Sequence, residues 1–189
     1  MKWALWDYGV GNLHSLRKAI EAIGEEAAIT EDPQTFLEAD VSVLPGVGAF
    51  GKVMESLAPI APGLTNRHQA GRPILGVCIG MQVLYEGSDE SPTPGLGIIP
   101  GHVHRLQARI VPHMGWNDVS TPMEGVYYYV HSYAAPSKGA LASTKYGEQT
   151  FAAAVRDGNT IGFQFHPEKS GDAGRAILKW ARDQYKEQA

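Results

Sequence analysis

The chain has 189 residues, with 16 lysines and arginines against 20 aspartates and glutamates, a formal net charge of −4. That length is ample for one domain with a sizeable core, and 43% hydrophobic with 19% charged residues excludes wholesale disorder. The mildly acidic balance argues against general nucleic-acid binding, and the single cysteine excludes an intramolecular disulfide or a cysteine-rich zinc site. No run approaches the ~20 apolar residues of a membrane span.

The opening apolar stretch Trp3-Ala4-Leu5-Trp6 is cut by Asp7, too short for a signal-peptide core, so a cytoplasmic protein is expected. Lys2–Asp7 reads as a buried strand, followed by a turn at Tyr8-Gly9-Val10-Gly11. Asn12 is placed to cap a helix whose Leu13, Leu16, Ile20 and Ile23 share one face, and Gly24 ends it. A strand near Ala27–Thr30 follows, then a helix opened by Asp32-Pro33, and a strand at Val41–Leu44. Phe50–Leu57 and Pro62–Ala70 read as helices and Pro73–Val77 as a fourth apolar strand, leading into a helical run Met81–Tyr85. Strands alternating with helices imply crossovers and a parallel sheet.

Beyond about Glu86 the pattern turns loop-rich. Strand candidates then follow at His102–Gln107, Gly125–Tyr133, Thr150–Val155 and Thr160–His166, with Asp157-Gly158 as a hairpin signal. Asp172 is expected to cap a closing helix with an apolar stripe of Ala173, Ile177, Trp180 and Ala181. The expected architecture over 1–189 is one α/β domain: a mainly parallel central sheet flanked by helices, with antiparallel strands added.

The strongest chemical signal is Gly76-Val77-Cys78-Ile79-Gly80, lying between an apolar strand and a helix. This is the nucleophile-elbow pattern with cysteine in place of serine. A helix N-terminus offers N–H groups and a dipole that favour thiolate, although a lone cysteine is also commonly an inert buried residue. In Ile161-Gly162-Phe163-Gln164-Phe165-His166-Pro167-Glu168, alternation puts His166 at a strand end, off the face of Ile161, Phe163 and Phe165. An acid stands two residues on. Cys78, His166 and Glu168 would then form a triad, with the carboxylate holding one imidazole nitrogen in an extended His-x-Glu geometry. Pro45-Gly46-Val47-Gly48 follows a strand and can offer backbone donors to an anion, so Gly46, Val47 and the Ile79 N–H are candidate oxyanion groups.

Other motifs read blandly. Gly9-Val10-Gly11 has His14 where a dinucleotide fingerprint needs its third glycine. His102-Val103-His104 puts two imidazoles on one strand face, but no further ligand stands near them in sequence, so no metal is expected. Met114-Gly115-Trp116-Asn117 and Val126–Val130 read as core packing.

Gly76-Val77-Cys78-Ile79-Gly80-Met81-Gln82 together with His166-Pro167-Glu168 resembles the class I, triad-type glutamine amidotransferases. Further pieces spread over nearly the whole chain resemble the glutaminase subunits of imidazole glycerol phosphate synthase. They are Asp7-Tyr8-Gly9-Val10-Gly11-Asn12, Pro45-Gly46-Val47-Gly48-Ala49-Phe50, Pro94-Gly95-Leu96-Gly97, His113-Met114-Gly115-Trp116-Asn117, His131-Ser132-Tyr133 and His166-Pro167-Glu168-Lys169-Ser170.

The resemblance implies a flavodoxin-like fold and hydrolysis of glutamine. The ammonia would pass to a separate (β/α)8-barrel cyclase subunit in a heterodimer, without nucleic acid, membrane or cofactor. It assigns Gln82 and Tyr133 to the glutamine pocket and Gly46 and Val47 to the oxyanion strand. Asn12, Trp116 and Lys169 are expected to meet the cyclase, since loops beyond the carboxyl ends of parallel strands converge on one rim. Two rivals stay open at this point. One is a thiol hydrolase or amidotransferase with a different acceptor; the other is a non-hydrolytic relative whose elbow cysteine senses oxidation, with Cys78, His166 and Glu168 far apart.

Overall fold

The computed structural model describes residues 1–187. In chain order the elements of the first half are β1 (Lys2–Trp6), α1 (His14–Glu21), β2 (Glu26–Thr30), α2 (Pro33–Glu38), β3 (Val41–Leu44), α3 (Phe50–Leu57), α4 (Ala61–Gln69), β4 (Ile74–Val77) and α5 (Ile79–Gln82). The second half holds β5 (Gly87–Ser88), β6 (His102–Arg105), β7 (His113–Val119), β8 (Gly125–His131), β9 (Tyr133–Ala134), β10 (Ala142–Tyr146), β11 (Gln149–Asp157), β12 (Thr160–Phe163) and α6 (Gly171–Glu187). A 3₁₀ turn at Pro167–Lys169 precedes α6.

The main sheet runs β10-β11-β12-β4-β3-β1-β2. β2, β1, β3, β4 and β12 are mutually parallel, and β11 and β10 continue the sheet antiparallel. The parallel part has the 2-1-3-4-5 order of flavodoxin-like folds. Its strands carry apolar residues on both faces because helices cover both. Trp3 and Leu5 pack with α1 and α6 through Leu16, Ile20, Ile177 and Leu178, whereas Ala4 and Trp6 pack with α2, α3 and α4 through Phe36, Phe50 and Leu64.

Local chemistry explains most element ends. Asp32 caps α2 by accepting from the Thr35 N–H at 2.7 Å, and Gly24 takes φ +85° beyond α1. Asn12 is not the helix cap: Leu13 holds that position without a side-chain bond, and Asn12, one residue further out, accepts at Oδ1 from His14 N–H. The hairpin between β11 and β12 closes on the Asp157–Thr160 pair, so its loop is Gly158-Asn159, with Gly158 at φ +55°. Asp172 lies in the first turn of α6 rather than capping it, because the helix already starts at Gly171.

Two expectations about the second half change. β10 has no counterpart in the sequence reading. The segment expected as core at Met114–Asn117 belongs to the two-stranded ribbon β7-β8, whose outer face leaves Met114 63%, Trp116 59% and Val126 46% exposed. Period-two alternation hides His113, Val119, Tyr127 and Tyr129 on the other face.

Candidate active site

The parallel strands β1, β3, β4 and β12 end at one edge of the sheet, so the loops after them share a rim. At the end of β4, Cys78 takes φ +52° and ψ −110°, the one positive φ at a non-glycine among the described residues. Backbone strain of this kind costs on the order of 1–3 kcal/mol and persists only where neighbours over-determine it. Here they do. Cys78 N–H donates to Phe163 O at 2.7 Å, and Cys78 O accepts from Met81 and Gln82 N–H. The flanking glycines are steric requirements: a Cβ on Gly76 would lie 2.5 Å from Gly80 O, and one on Gly80 only 1.9 Å from Leu44 O. The helix behind the elbow is shorter than expected, four residues rather than a run to Tyr85, so its dipole contribution is small.

His166 lies beyond the strand. β12 ends at Phe163, both its faces are buried, and His166 N–H pairs with Tyr128 O at 2.9 Å instead of a ladder partner. The chain then turns rather than continuing extended, since Pro167–Lys169 is a 3₁₀ turn, with Ser170 Oγ donating to His166 O at 2.6 Å. That turn brings Glu168 Oε1 to 2.7 Å from His166 Nδ1 with both side chains buried. His166 Nε2 has no hydrogen-bond partner. A Cβ on Gly46 would meet His166 Cε1 at 2.8 Å and Cys78 Cβ at 3.0 Å, so glycine there lets three segments converge. Burial disfavours the imidazolium, yet the Cys78 sulfur and the Glu168 carboxylate outweigh it and push the His166 pKa up to about 10.

The other sequence candidates fall around this point. Val47 follows Gly46 on the loop after β3, its side chain filling the space that Gly11 leaves by lacking one, and Ile79 starts α5 where its N–H has no partner within the helix. A cavity of about 300 Å³ is lined by Gly48, Cys78, Ile79, Gln82, Glu90, Pro112, Val130, His131, Ser132 and Tyr133. Gln82 is buried, and its Nε2 donates to Tyr133 O at 2.8 Å and to Gln164 Oε1 at 3.0 Å. Tyr133 therefore shapes the wall partly through its carbonyl.

Three contributors escaped the sequence reading. Gln164 Nε2 reaches Cys78 Sγ at 3.7 Å, and its polarity within an otherwise apolar strand end was the available signal. Glu90, on the turn after β5, accepts from Phe50 N–H at 3.1 Å and lines the cavity. His131 donates from Nδ1 to Tyr133 O at 2.8 Å, which makes its Nε2 an acceptor for His113 Nδ1 at 3.1 Å, and Asn117 Nδ2 donates to His113 Nε2 at 3.3 Å. The two bonds accepted by ring nitrogens, at His131 Nε2 and His113 Nε2, require the neutral forms, and burial lowers the pKa of His113 to about 4 and of His131 to about 3.

On the rim, Trp116 packs edge-on to Tyr128 at 5.9 Å and Lys169 Nζ stands 5.7 Å from the same ring, so these two predicted residues form one patch. Asn12 is exposed on the loop after β1. Gly9 and Gly11 serve a turn with positive φ, tied by Gly9 N–H to Asp7 Oδ1. One reading needs correction: a third ligand type does stand beside His102 and His104, because folding brings Asp89 between them. No helix among the described residues is long and apolar enough to cross a membrane.

The family model for class-I glutamine amidotransferases matches residues 4–181. The chain is 46% identical to imidazole glycerol phosphate synthase subunit HisH of Carboxydothermus hydrogenoformans, over 94% of this chain and 96% of that protein. It is 44% identical to the subunit of the same name from Thermus thermophilus, over 96% and 97%. A crystal structure of a glutamine amidotransferase superposes with a TM-score of 0.79 at 18% identity, covering 97% and 98%, which shows the shared fold. The chain thus belongs to the class-I glutamine amidotransferases and, among them, to the HisH family of imidazole glycerol phosphate synthase subunits.

Proposed function

We propose that this chain hydrolyses glutamine to glutamate and ammonia and supplies the ammonia to a (β/α)8-barrel cyclase subunit in histidine biosynthesis, in the cytoplasm. The observation that carries the chemistry is the convergence of Cys78, Gly46 and a Glu168-bound His166, with Cys78 also lining the cavity beside Gln82 and Tyr133. Cys78 thiolate attacks the side-chain amide carbon, and the amide oxygen becomes an oxyanion facing N–H groups of Val47 and Ile79. His166 Nε2 gives its proton to the departing nitrogen, releasing ammonia and leaving a glutamyl thioester. His166 then takes a proton from water, whose oxygen attacks the thioester, and glutamate leaves as the thiolate re-forms. Glu168 orients the imidazole through Nδ1. Glu90 offers a counter-charge at the cavity wall suited to an α-ammonium group.

The make-up of the rim supports a cyclase docking there. Trp116, Met114 and Val10 are exposed apolar side chains near the loop ends, with Lys169 beside Trp116, and aromatic anchors with a basic neighbour are common in the energetic centre of interfaces. The oxidation-sensing alternative requires the three chemical residues to lie apart, and a 2.7 Å contact between His166 and Glu168 weighs against it.

The decisive experiment is Cys78→Ala in the complex with a barrel cyclase. Glutamine-dependent product formation should vanish, while ammonium-dependent formation persists. Residual glutaminase activity in that variant refutes the assignment of the nucleophile. Normal glutaminase that no cyclase couples or stimulates refutes the partner.

A further inference from the structure

His102 and His104 point the same way from β6, two residues apart on one strand face. Their ring centroids are 5.1 Å apart. Asp89, on the turn after β5, enters from the neighbouring strand: its Oδ1 is 3.0 Å from His102 Nε2 and its Oδ2 3.3 Å from His104 Nδ1. All three ligand atoms lie within 4.8 Å of one another, and all three residues are exposed.

The geometry points to a binding site for a divalent transition metal ion of the zinc type, formed by Asp89, His102 and His104, which clips the turn after β5 to β6. The two nitrogen–oxygen separations, each to a different oxygen of Asp89, lie near the roughly 3.3 Å edge of a tetrahedron with bonds of about 2.05 Å, and a rotation of the carboxylate is needed to present one oxygen to both rings. Imidazole pairs select zinc, nickel or copper over magnesium or calcium. Exposure leaves the fourth position to water.

Two features outside the ligand set support a built site. Asp89 is held from behind, since its Oδ2 accepts from Arg105 N–H at 3.1 Å and its own N–H donates to Val103 O at 2.9 Å. Such outer contacts aim a carboxylate before a metal arrives. His102 also lies against Gly87, where a Cβ would stand 3.1 Å from both Nδ1 and Cε1 and push the ring aside.

The test uses untagged full-length Cys78→Ala protein, which removes the catalytic thiol as a competing ligand. Cobalt(II) should give the visible bands of a four-coordinate ion, and zinc should displace it. Zinc at about a hundredfold over its Kd should raise Tm by roughly 5–10 °C in a chain of this size. Adding His102→Ala with His104→Ala should abolish both signals, and Gly87→Val should weaken them with the ligands intact. Because the ligands are exposed, the histidine variants should keep the circular dichroism of the parent. Failure of cobalt and zinc to register up to about 1 mM, or equal signals in the double histidine variant, overturns the site.

Discussion

Replacing Gly80 with alanine puts a methyl group into backbone. The new Cβ would stand 1.9 Å from Leu44 O and 2.6 Å from Leu44 C. Real Cβ atoms keep at least 3.0 Å from such neighbours, so the elbow and the end of β3 must separate by about 1.1 Å. That displacement falls between Cys78 and the Gly46-Val47 loop, the two groups proposed to flank the reacting carbonyl. A misplacement of about 1 Å costs on the order of 10²-fold in rate, or ~2.7 kcal/mol in the barrier. Overpacking also costs roughly 1–3 kcal/mol of stability, or about 2–12 °C in Tm. Steady-state glutaminase assays of the cyclase complex, with differential scanning calorimetry of the free chain, measure both. Gly63→Ala is the matched control: its Cβ meets only the end of the flexible Leu37 side chain, far from the elbow and with no backbone in the way, so activity should stay near the parent value. If Gly80→Ala keeps activity within threefold of Gly63→Ala, the argument that the elbow's position controls the chemistry is wrong.

His166→Ala should lower the glutaminase rate more than Glu168→Ala, because the imidazole moves protons in both half-reactions while the carboxylate orients it; the reverse order would reassign the roles. Acid should destabilise the fold through His113 and His131. Between pH 6.5 and their depressed values near 4 and 3, only the unfolded chain binds these protons, so stability falls as pH drops. The slope is up to about 1.4 kcal/mol per pH unit for each such proton, and His131→Gln should flatten the Tm profile between pH 6.5 and 4.5; an unchanged profile rejects the linkage. Arg67 is buried and donates to Leu37 O, Asp40 O and Pro73 O; Pro73 O keeps the Ser42 N–H, so Arg67→Ala takes the side-chain donor from Leu37 O and Asp40 O and should cost about 2 kcal/mol or more by urea unfolding. Trp116→Ala and Lys169→Ala should weaken association with the cyclase without lowering Tm; full affinity in the double variant would place the interface elsewhere.

The sequence alone determined the order of the first-half strands and helices, because buried parallel strands and amphipathic helices write their periods directly into apolar spacing. It also determined the elbow pattern around Cys78: Gly76 reflects a backbone contact made within the strand-turn-helix unit itself, whereas the need for Gly80 comes from the end of β3 and is tertiary. In the second half local pattern found β6, β8, β11, β12 and α6 but not β7 or β10. The face of β7 that carries Trp116 alternates like any half-buried strand, and only the absence of a covering layer makes it a surface. Where His166 points was decided by the tertiary structure too: the chain leaves β12 at Phe163 and closes a 3₁₀ turn, which a strand period cannot foresee. Gln164, Glu90, the His113–His131 chain and Asp89 beside His102 and His104 are pairings between segments distant in sequence. Long-range strand pairing sets which side chains meet, so these appear only once the sheets are assembled.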